Sequence, residues 1–313
     1  MRVAFCGAWH VHAKDYAKHA SELGEIVGVY EENEKLRADF LEKFPVPVFE
    51  TLDELLASDA EGVIVCSATN AHADQMVKIA EAKKHIFTEK VLALTDGDCN
   101  RVARAVRENG VTFVISLFQK SVASRRTVKA VVDSGELGKI NYLRFRNCHS
   151  GSTKDWLPRH FYDRKECGGG AMIDLGAHGM YLTEWILGMP STFRSTFTVA
   201  CEAPAVLEKN ADRVEDNAVT VMGYESGAIA INETGFVSNY SPVVLEVFGE
   251  TGYVRMTGDT VVKRVSGSGG EIEVPLVEKE PLPIVQFLTG DVREGYGIEE
   301  ACALTHMMVK AYE

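Results

Sequence analysis

MRVAFCGAWHVHAKDYAKHASELGEIVGVYEE, residues 1–32, decides the fold of this chain. A short apolar run, Arg2–Cys6, meets a turn that opens on Gly7; a stretch with helical spacing, Ala13–Leu23, follows, and a second apolar run, Ile26–Tyr30, ends at Glu31. Strand, glycine turn, helix and strand make the unit from which parallel sheets covered on both faces are built. The alternation continues, with strands expected at Gly62–Cys66, His85–Phe87 and Val111–Ser116 and helices at Glu34–Phe44, Leu52–Ala57, Ala73–Ala82 and Asp96–Asn109. These strands are nearly continuous in Val and Ile, as expected where neither sheet face meets water. The first part of the chain reads as an α/β, doubly wound Rossmann domain.

After a helix at Ala123–Ser134, ended by Gly135, the texture changes. Longer alternating segments, Ile140–Arg146, Phe193–Ala200, Asn217–Tyr224, Ala228–Glu233, Val243–Phe248 and Tyr253–Met256, predict a mainly antiparallel sheet. One helix, about Ala171–Leu187, interrupts them, and two more close the chain near Pro283–Val292 and Glu299–Tyr312. The division falls at residue 118, giving a nucleotide-binding domain over 1–118 and an α+β domain over 119–313. Two domains also suit 313 residues, more than one hydrophobic core usually organises.

A formal charge of -12 and a pI near 5.3 leave no broad basic surface for phosphates, which argues against nucleic acid or an anionic membrane as partner. A small-molecule partner is expected instead. The seven cysteines are scattered, with no Cys-x-x-Cys pair, and read as reduced thiols of a cytoplasmic protein. Residues 1–6 run straight into the glycine turn, too short for a signal-peptide core, and no apolar run reaches membrane-spanning length.

Gly7-Ala8-Trp9-His10-Val11-His12 stands where a dinucleotide-binding domain carries G-x-G-x-x-G, and only Gly7 fits. Trp9 and His12 occupy the other glycine places. Glu31 ends the second strand a little over twenty residues later, where a carboxylate bonds the adenosine ribose hydroxyls and repels a 2′-phosphate; NAD is therefore favoured, with NADP as the other possibility. His10 and His12 lack a Cys or acidic ligand at a recognisable spacing and read as turn and packing residues, so no metal is expected. Two further strand ends, Thr69-Asn70-Ala71-His72 and Thr88-Glu89-Lys90, open onto the carboxyl edge of the sheet, where open α/β folds bind ligands. For Thr69, Asn70 and His72 the competing role is helix capping, and for Lys90 that of a solvated amine.

In the second domain, Gly168-Gly169-Gly170-Ala171-Met172-Ile173-Asp174-Leu175-Gly176-Ala177-His178 leads from a flexible backbone into a helix. Asp174 and His178 stand four apart on one face, and Tyr181 and Trp185 extend the stripe, with Tyr181 expected to face the substrate. A histidine can take or return an alcohol proton, and a nearby carboxylate can orient it. The preceding segment, His149 to Lys165, holds Trp156, Arg159 and Tyr162, aromatics and a cation suited to sugar faces and anionic groups.

Taken in order, these segments, with Ser134-Gly135-Glu136-Leu137-Gly138 and Glu215-Asp216-Asn217, resemble the Gfo/Idh/MocA oxidoreductases, a family that includes inositol dehydrogenases and glucose-fructose oxidoreductase. The resemblance runs along essentially the whole chain. It implies a Rossmann domain holding NAD or NADP, a second domain with a large open sheet, oxidation or reduction of a sugar, cyclitol or related polyol, and association into dimers or tetramers. By position it implies His178 as acid/base, Asp174 as its tuning carboxylate, and Lys90, the lysine of a Glu-Lys-Pro motif, as the group that bonds the reacting oxygen. The departures are Trp9 and His12 for glycines, Val91 for the proline that often follows a cis peptide, and Tyr181 where many members carry an acid. An NAD-dependent glycosidase of the same fold, or a ligand-binding regulator that has lost turnover, are the alternative functions.

Overall fold

Five short strands, β1 (Arg2–Cys6), β2 (Glu25–Tyr30), β3 (Gly62–Val65), β4 (His85–Thr88) and β5 (Phe113–Ile115), form a parallel sheet in the order β2-β1-β3-β4-β5. Phe5, Val63, Ile64, Val65, Ile86, Phe87, Val114 and Ile115 are wholly buried, as a sheet covered on both faces requires. Between the strands run α1 (Ala13–Leu23), α2 (Glu34–Leu41), α3 (Leu52–Ala57), α4 (His72–Glu81) and α5 (Asp96–Asn109). Local chemistry sets their ends. Asn33 accepts the N–H groups of Lys35 and Leu36 to start α2, Thr95 accepts that of Asp98 to start α5, and Gly110 stops α5 in the left-handed conformation, φ 64°. The helix capping weighed as the competing role for Thr69, Asn70 and His72 does not occur: Thr69–Ala71 form a turn of 3₁₀ helix, and α4 starts at His72 without a side-chain cap.

The computed structural model describes all 313 residues, which divide into two units: Met1–Leu117 with Pro281–His306, and Phe118–Glu280 with Met307–Glu313. In the second, α6 (Ala123–Asp133) precedes β6 (Ile140–Cys148); then come the single turn α7 (Arg164–Cys167), α8 (Ala177–Leu187), β7 (Thr192–Thr198), α9 (Pro204–Lys209), β8 (Asn217–Gly223), β9 (Ile229–Gly235), β10 (Val244–Gly249), β11 (Gly252–Thr257), β12 (Thr260–Val265) and β13 (Ile272–Glu273). They make one eight-stranded sheet, β13-β12-β11-β10-β6-β9-β8-β7, antiparallel throughout except for β6 beside β9. Burial alternates along β8, β9 and β10, so one face packs a core of Leu143, Phe145, Ala230, Leu245 and Val247. The other face carries polar pairs such as Arg144, which forks onto Glu233 at 2.8 and 3.0 Å.

Two strands at one edge, β12 and β13, lie beyond the last strand legible in the sequence. The closing helices, α10 (Pro283–Thr289) and α11 (Ile298–Tyr312), were grouped by the sequence with the second domain. In the structure Pro281–His306 belongs to the first unit, and only the end of α11, from Met307, to the second. Phe287, completely buried, packs its ring tilted against that of Phe87 of β4 at 5.8 Å, and the Ile115 N–H donates to the Tyr296 carbonyl, which accounts for that membership. No helix is long and apolar enough to cross a membrane.

Candidate active site

The sheet of the first unit turns outward in both directions from the gap between β1 and β3, and ligands of open α/β sheets bind at the carboxyl ends flanking such a point. Gly7 follows β1 with φ 90°, and a Cβ there would overlap the backbone of Ser67 at the end of β3, so both conformation and space demand glycine. The turn is closed by its own bonds. The Gly7 N–H donates to the Tyr30 carbonyl at 2.7 Å, that of Ala8 to Glu31 Oε2 at 2.7 Å, and that of His10 to the Cys66 carbonyl at 3.0 Å. Glu31 Oε1 accepts the Asn33 N–H at 2.8 Å, so this carboxylate ties the ends of β1 and β2 together. Val11 is exposed, and α1 starts after His12 with no side-chain cap.

His12, the departure from the glycine pattern, has a partner that the sequence does not show. Its ring Nδ1 lies 2.7 Å from Oε1 of Glu89, which is almost completely buried. Tyr16 donates to the same oxygen and contacts Ser116 Oγ at 2.7 Å; the Lys90 N–H donates to Glu89 Oε2 at 2.9 Å; His10 Nδ1 stands 3.6 Å from Glu89. Burial pushes the Glu89 carboxyl up, but the charges of His10 and His12, the His12 bond and Lys90 outweigh it and hold the group well below the usual carboxylate range. Ligand atoms of His10, His12 and Glu89 lie within 4.8 Å of one another, a set that could hold a metal ion, although Glu89 already accepts from Tyr16 and Lys90.

Lys90 is buried, 6% exposed, so its side chain is not the solvated amine of the competing reading. The Lys90–Val91 peptide is cis despite the absence of proline. His72 braces this segment: Nδ1 lies 3.0 Å from the Val91 carbonyl and Nε2 3.1 Å from that of Ser67, in a site 1% exposed. Burial lowers its pKa against the pull of those carbonyls. Each nitrogen faces a backbone carbonyl and the tautomer decides which of them donates, which makes His72 a support of the loop; Thr69 and Asn70 stand at the sheet edge, Asn70 exposed.

In the second unit, the glycine run owes its composition to Glu215 and Tyr312. A Cβ on Gly169 would overlap the Tyr312 ring, and one on Gly170 the Glu215 carbonyl oxygen. Glu215 Oε1 accepts the N–H groups of Gly170 (2.9 Å) and Met172 (3.0 Å) and the Tyr312 hydroxyl (2.6 Å), and Tyr312 Oη accepts the Ile173 N–H at 3.1 Å. A buried carboxylate thus satisfies the orphan amides at the start of the helical segment. Met172–Gly176 then forms a π turn before α8 begins, so the segment is not the single α-helix that the spacing predicts, and the phase between Asp174 and His178 differs accordingly. Asn232 Nδ2 donates to the Gly176 carbonyl at 2.7 Å and Thr234 to that of Ala171 at 3.3 Å, anchoring the turn on β9.

His178, 5% exposed, has its Nδ1 2.9 Å from Tyr181 Oη and its ring edge-on to Phe118 at 5.1 Å. Tyr181 Oη also accepts the Gln119 N–H at 3.2 Å. Tyr181 is itself 1% exposed and acts on His178, a placement different from the substrate-facing one the sequence assigned to it. Asp174 directs its charge on His149, opposing the fall in pKa that burial imposes there. Trp185 lies beneath two ammonium groups, Lys120 at 5.5 Å and Lys129 at 5.7 Å. In the preceding loop Trp156 is 53% exposed beside His149, and Arg159 is exposed. Tyr162 requires correction: expected to face substrate, it is buried in the cluster of Leu157, Phe161, Val206, Val214 and Phe236, its hydroxyl 2.8 Å from Ser152 Oγ.

Two family models match, the oxidoreductase family with NAD-binding Rossmann fold over residues 1–117 and the GFO/IDH/MocA C-terminal domain over 125–255. The chain belongs to the GFO/IDH/MocA oxidoreductases. Among its relatives, a myo-inositol 2-dehydrogenase of Thermotoga maritima is 27% identical over 65% of this chain and 58% of its own length. A scyllo-inositol 2-dehydrogenase (NAD(+)) of Bacillus subtilis is 28% identical over 68% of this chain and 59% of its own. The matched region therefore spans less than two thirds of these relatives. An aldose-aldose oxidoreductase of Caulobacter crescentus, solved with glycerol, superposes with a TM-score of 0.81 at 17% identity, covering 100% of this chain and 96% of that one, which shows a shared fold.

Proposed function

We propose that this GFO/IDH/MocA member is an NAD-dependent oxidoreductase acting on a CH–OH group of a sugar, cyclitol or related polyol. The observation that carries the reading is the His178–Tyr181 pair, an imidazole buried at the head of α8 and held through Nδ1 by a fully buried hydroxyl. The residues of the first unit fit NAD. Each oxygen of Glu31 accepts one N–H, and a carboxylate has about four lone-pair sites, so acceptor capacity remains for ribose hydroxyls. Glu31 with the adjacent Glu32 would repel a 2′-phosphate. When bound, the nicotinamide supplies the acceptor or donor of the hydride.

The protein's own groups handle the proton. With Nδ1 engaged by Tyr181, Nε2 is the nitrogen that exchanges a proton with the substrate hydroxyl. Tyr181 Oη can accept Nδ1–H while Nε2 is unprotonated, and continues to accept it once the imidazole is charged, so the ring keeps one orientation through the transfer. Asp174, on the same helical segment, is the carboxylate that would tune the imidazole. Lys90 offers an ammonium group to the reacting oxygen, stabilising developing alkoxide character. Trp156 and Arg159, exposed on the loop before the glycine run, are suited to the ring face and polar groups of the substrate. The inositol dehydrogenases among the relatives support this substrate class.

A thermal-shift screen of NAD, NADP and a panel of polyols tests the reading. NAD at a hundred times its dissociation constant should add about 2.7 kcal/mol of stability. A protein that responds to neither cofactor contradicts it.

A further inference from the structure

We propose that Cys99 and Cys302 form a redox-reactive dithiol in which Cys302 meets an oxidant and Cys99 closes the disulfide. Cys99 lies on α5 and Cys302 on α11, 203 residues apart in the chain and both within the first unit. Their Sγ atoms are 2.8 Å apart, less than an ångström beyond the ~2.05 Å of a disulfide bond. The two helices are fixed against each other on either side of the thiols. Arg107 of α5 pairs with Glu299 of α11 at 2.5 Å, and Asp96 of α5 contacts His306 of α11 at 3.1 Å. Bond formation therefore needs a small side-chain movement between elements already in register.

The two thiols differ in the way such chemistry requires. Cys99 is 2% exposed, whereas Cys302 reaches the surface in part. Cys99 donates its S–H to the Cys302 sulfur, which lowers Cys302 against the opposing effects of burial and Glu299, with Arg107 on the lowering side, and the same bond together with burial pushes Cys99 well up. The direction is opposite at the other shifted cysteines: burial raises Cys6, Cys66 and Cys148. A partly exposed cysteine whose S–H is easier to ionise, beside a resolving thiol, is the arrangement of oxidant-sensing cysteines.

With a peroxide the reaction balances in two steps. The Cys302 thiolate attacks the peroxide oxygen, the O–O bond breaks, and a proton completes Cys302 sulfenic acid and one molecule of water. The Cys99 sulfur then attacks the sulfenic sulfur, the S–O bond breaks, and the Cys99 proton leaves with the hydroxyl as a second water. Two electrons pass from the dithiol to the peroxide. Low-molecular-weight thiols reverse the bond by exchange.

The test is hydrogen peroxide titration of the full chain, stopped by alkylation and read by intact mass and a non-reducing peptide map. The expected first product has lost two hydrogens and two of its seven thiols, yields a single linked peptide pair containing Cys99 and Cys302, and reverts with dithiothreitol. In Cys99→Ser, dimedone should label Cys302. A first product oxidised at another cysteine, or a Cys99–Cys302 pair still fully alkylated after the others have reacted, overturns the proposal. The map of the unsubstituted protein decides the matter even if a serine variant does not fold.

Discussion

Tyr181→Phe separates a residue that orients His178 from one that only fills space. The substitution keeps the ring and removes Oη, which contacts His178 Nδ1 at 2.9 Å and accepts the Gln119 N–H at 3.2 Å. The amide left behind has lost its acceptor in a buried site, at a cost of about 1–3 kcal/mol. For a unit the size of the second, that lowers Tm by about 2–4 °C per kcal/mol. The orienting bond on the imidazole is worth about 0.5–1.5 kcal/mol, which corresponds to a fall in kcat of roughly 2- to 13-fold. Loss of the acid/base itself, in His178→Ala, costs far more, about 10²–10⁴-fold. The assay is steady-state oxidation of the best polyol over a range of pH, alongside thermal unfolding. Tyr181→Phe should lower kcat with little change in KM and displace the limb of the profile that reports the histidine. A variant with reduced Tm but unchanged kcat and pH profile would show that the Tyr181–His178 bond plays no part in turnover.

Three more outcomes follow from the geometry. Because Glu89 is held below its ordinary pKa, its ionised form stabilises the fold fully above about pH 4.5 and that contribution fades as pH falls towards its folded value; Tm measured from pH 6 to 3 should drop more steeply in the wild type than in Glu89→Gln, and parallel curves would refute the cluster's role. Gly170→Ala drives a methyl into the Glu215 carbonyl and should destabilise by about 1–3 kcal/mol or more, seen in urea unfolding, whereas Gly135→Ala, with φ 76° and nothing within 4 Å, should pay only the backbone cost of about 1 kcal/mol. Glu31→Ser removes the carboxylate that would meet a 2′-phosphate, so calorimetry should find NADP binding strengthened relative to NAD by about tenfold or more, about 1.4 kcal/mol; an unchanged ratio would place the adenosine ribose elsewhere.

The parallel sheet was legible because its strands are continuous apolar runs separated by turns, and periodicity reports burial directly. The edge strands β12 and β13 escaped because Thr260–Val265 follows the pattern only weakly and Ile272–Glu273 is two residues long and exposed. The place of Pro281–His306 could not be read, since an amphipathic helix does not say which core it covers. At the site, Gly7, Glu31 and His178 announce themselves by position, but their partners do not. Glu89 beneath His12, Glu215 capping the glycine run and Tyr181 on His178 are pairings across 77, 45 and 3 residues, two of them set by tertiary structure alone. Tyr162 was misplaced for a related reason: an aromatic in a loop looks the same whether it faces substrate or plugs a core, and only Ser152 and Phe236 decide between them. The π turn at Met172–Gly176 likewise has no signature in residue spacing.

Everything functional rests on His178 exchanging a proton with a substrate hydroxyl while NAD is bound. The most direct measurement is the rate of NADH appearance with saturating NAD and the most active polyol, compared between wild type and His178→Ala, with NAD affinity measured on both. A loss of at least about 100-fold in kcat with NAD affinity essentially unchanged is the predicted result; a His178→Ala protein that turns over at the wild-type rate would contradict it.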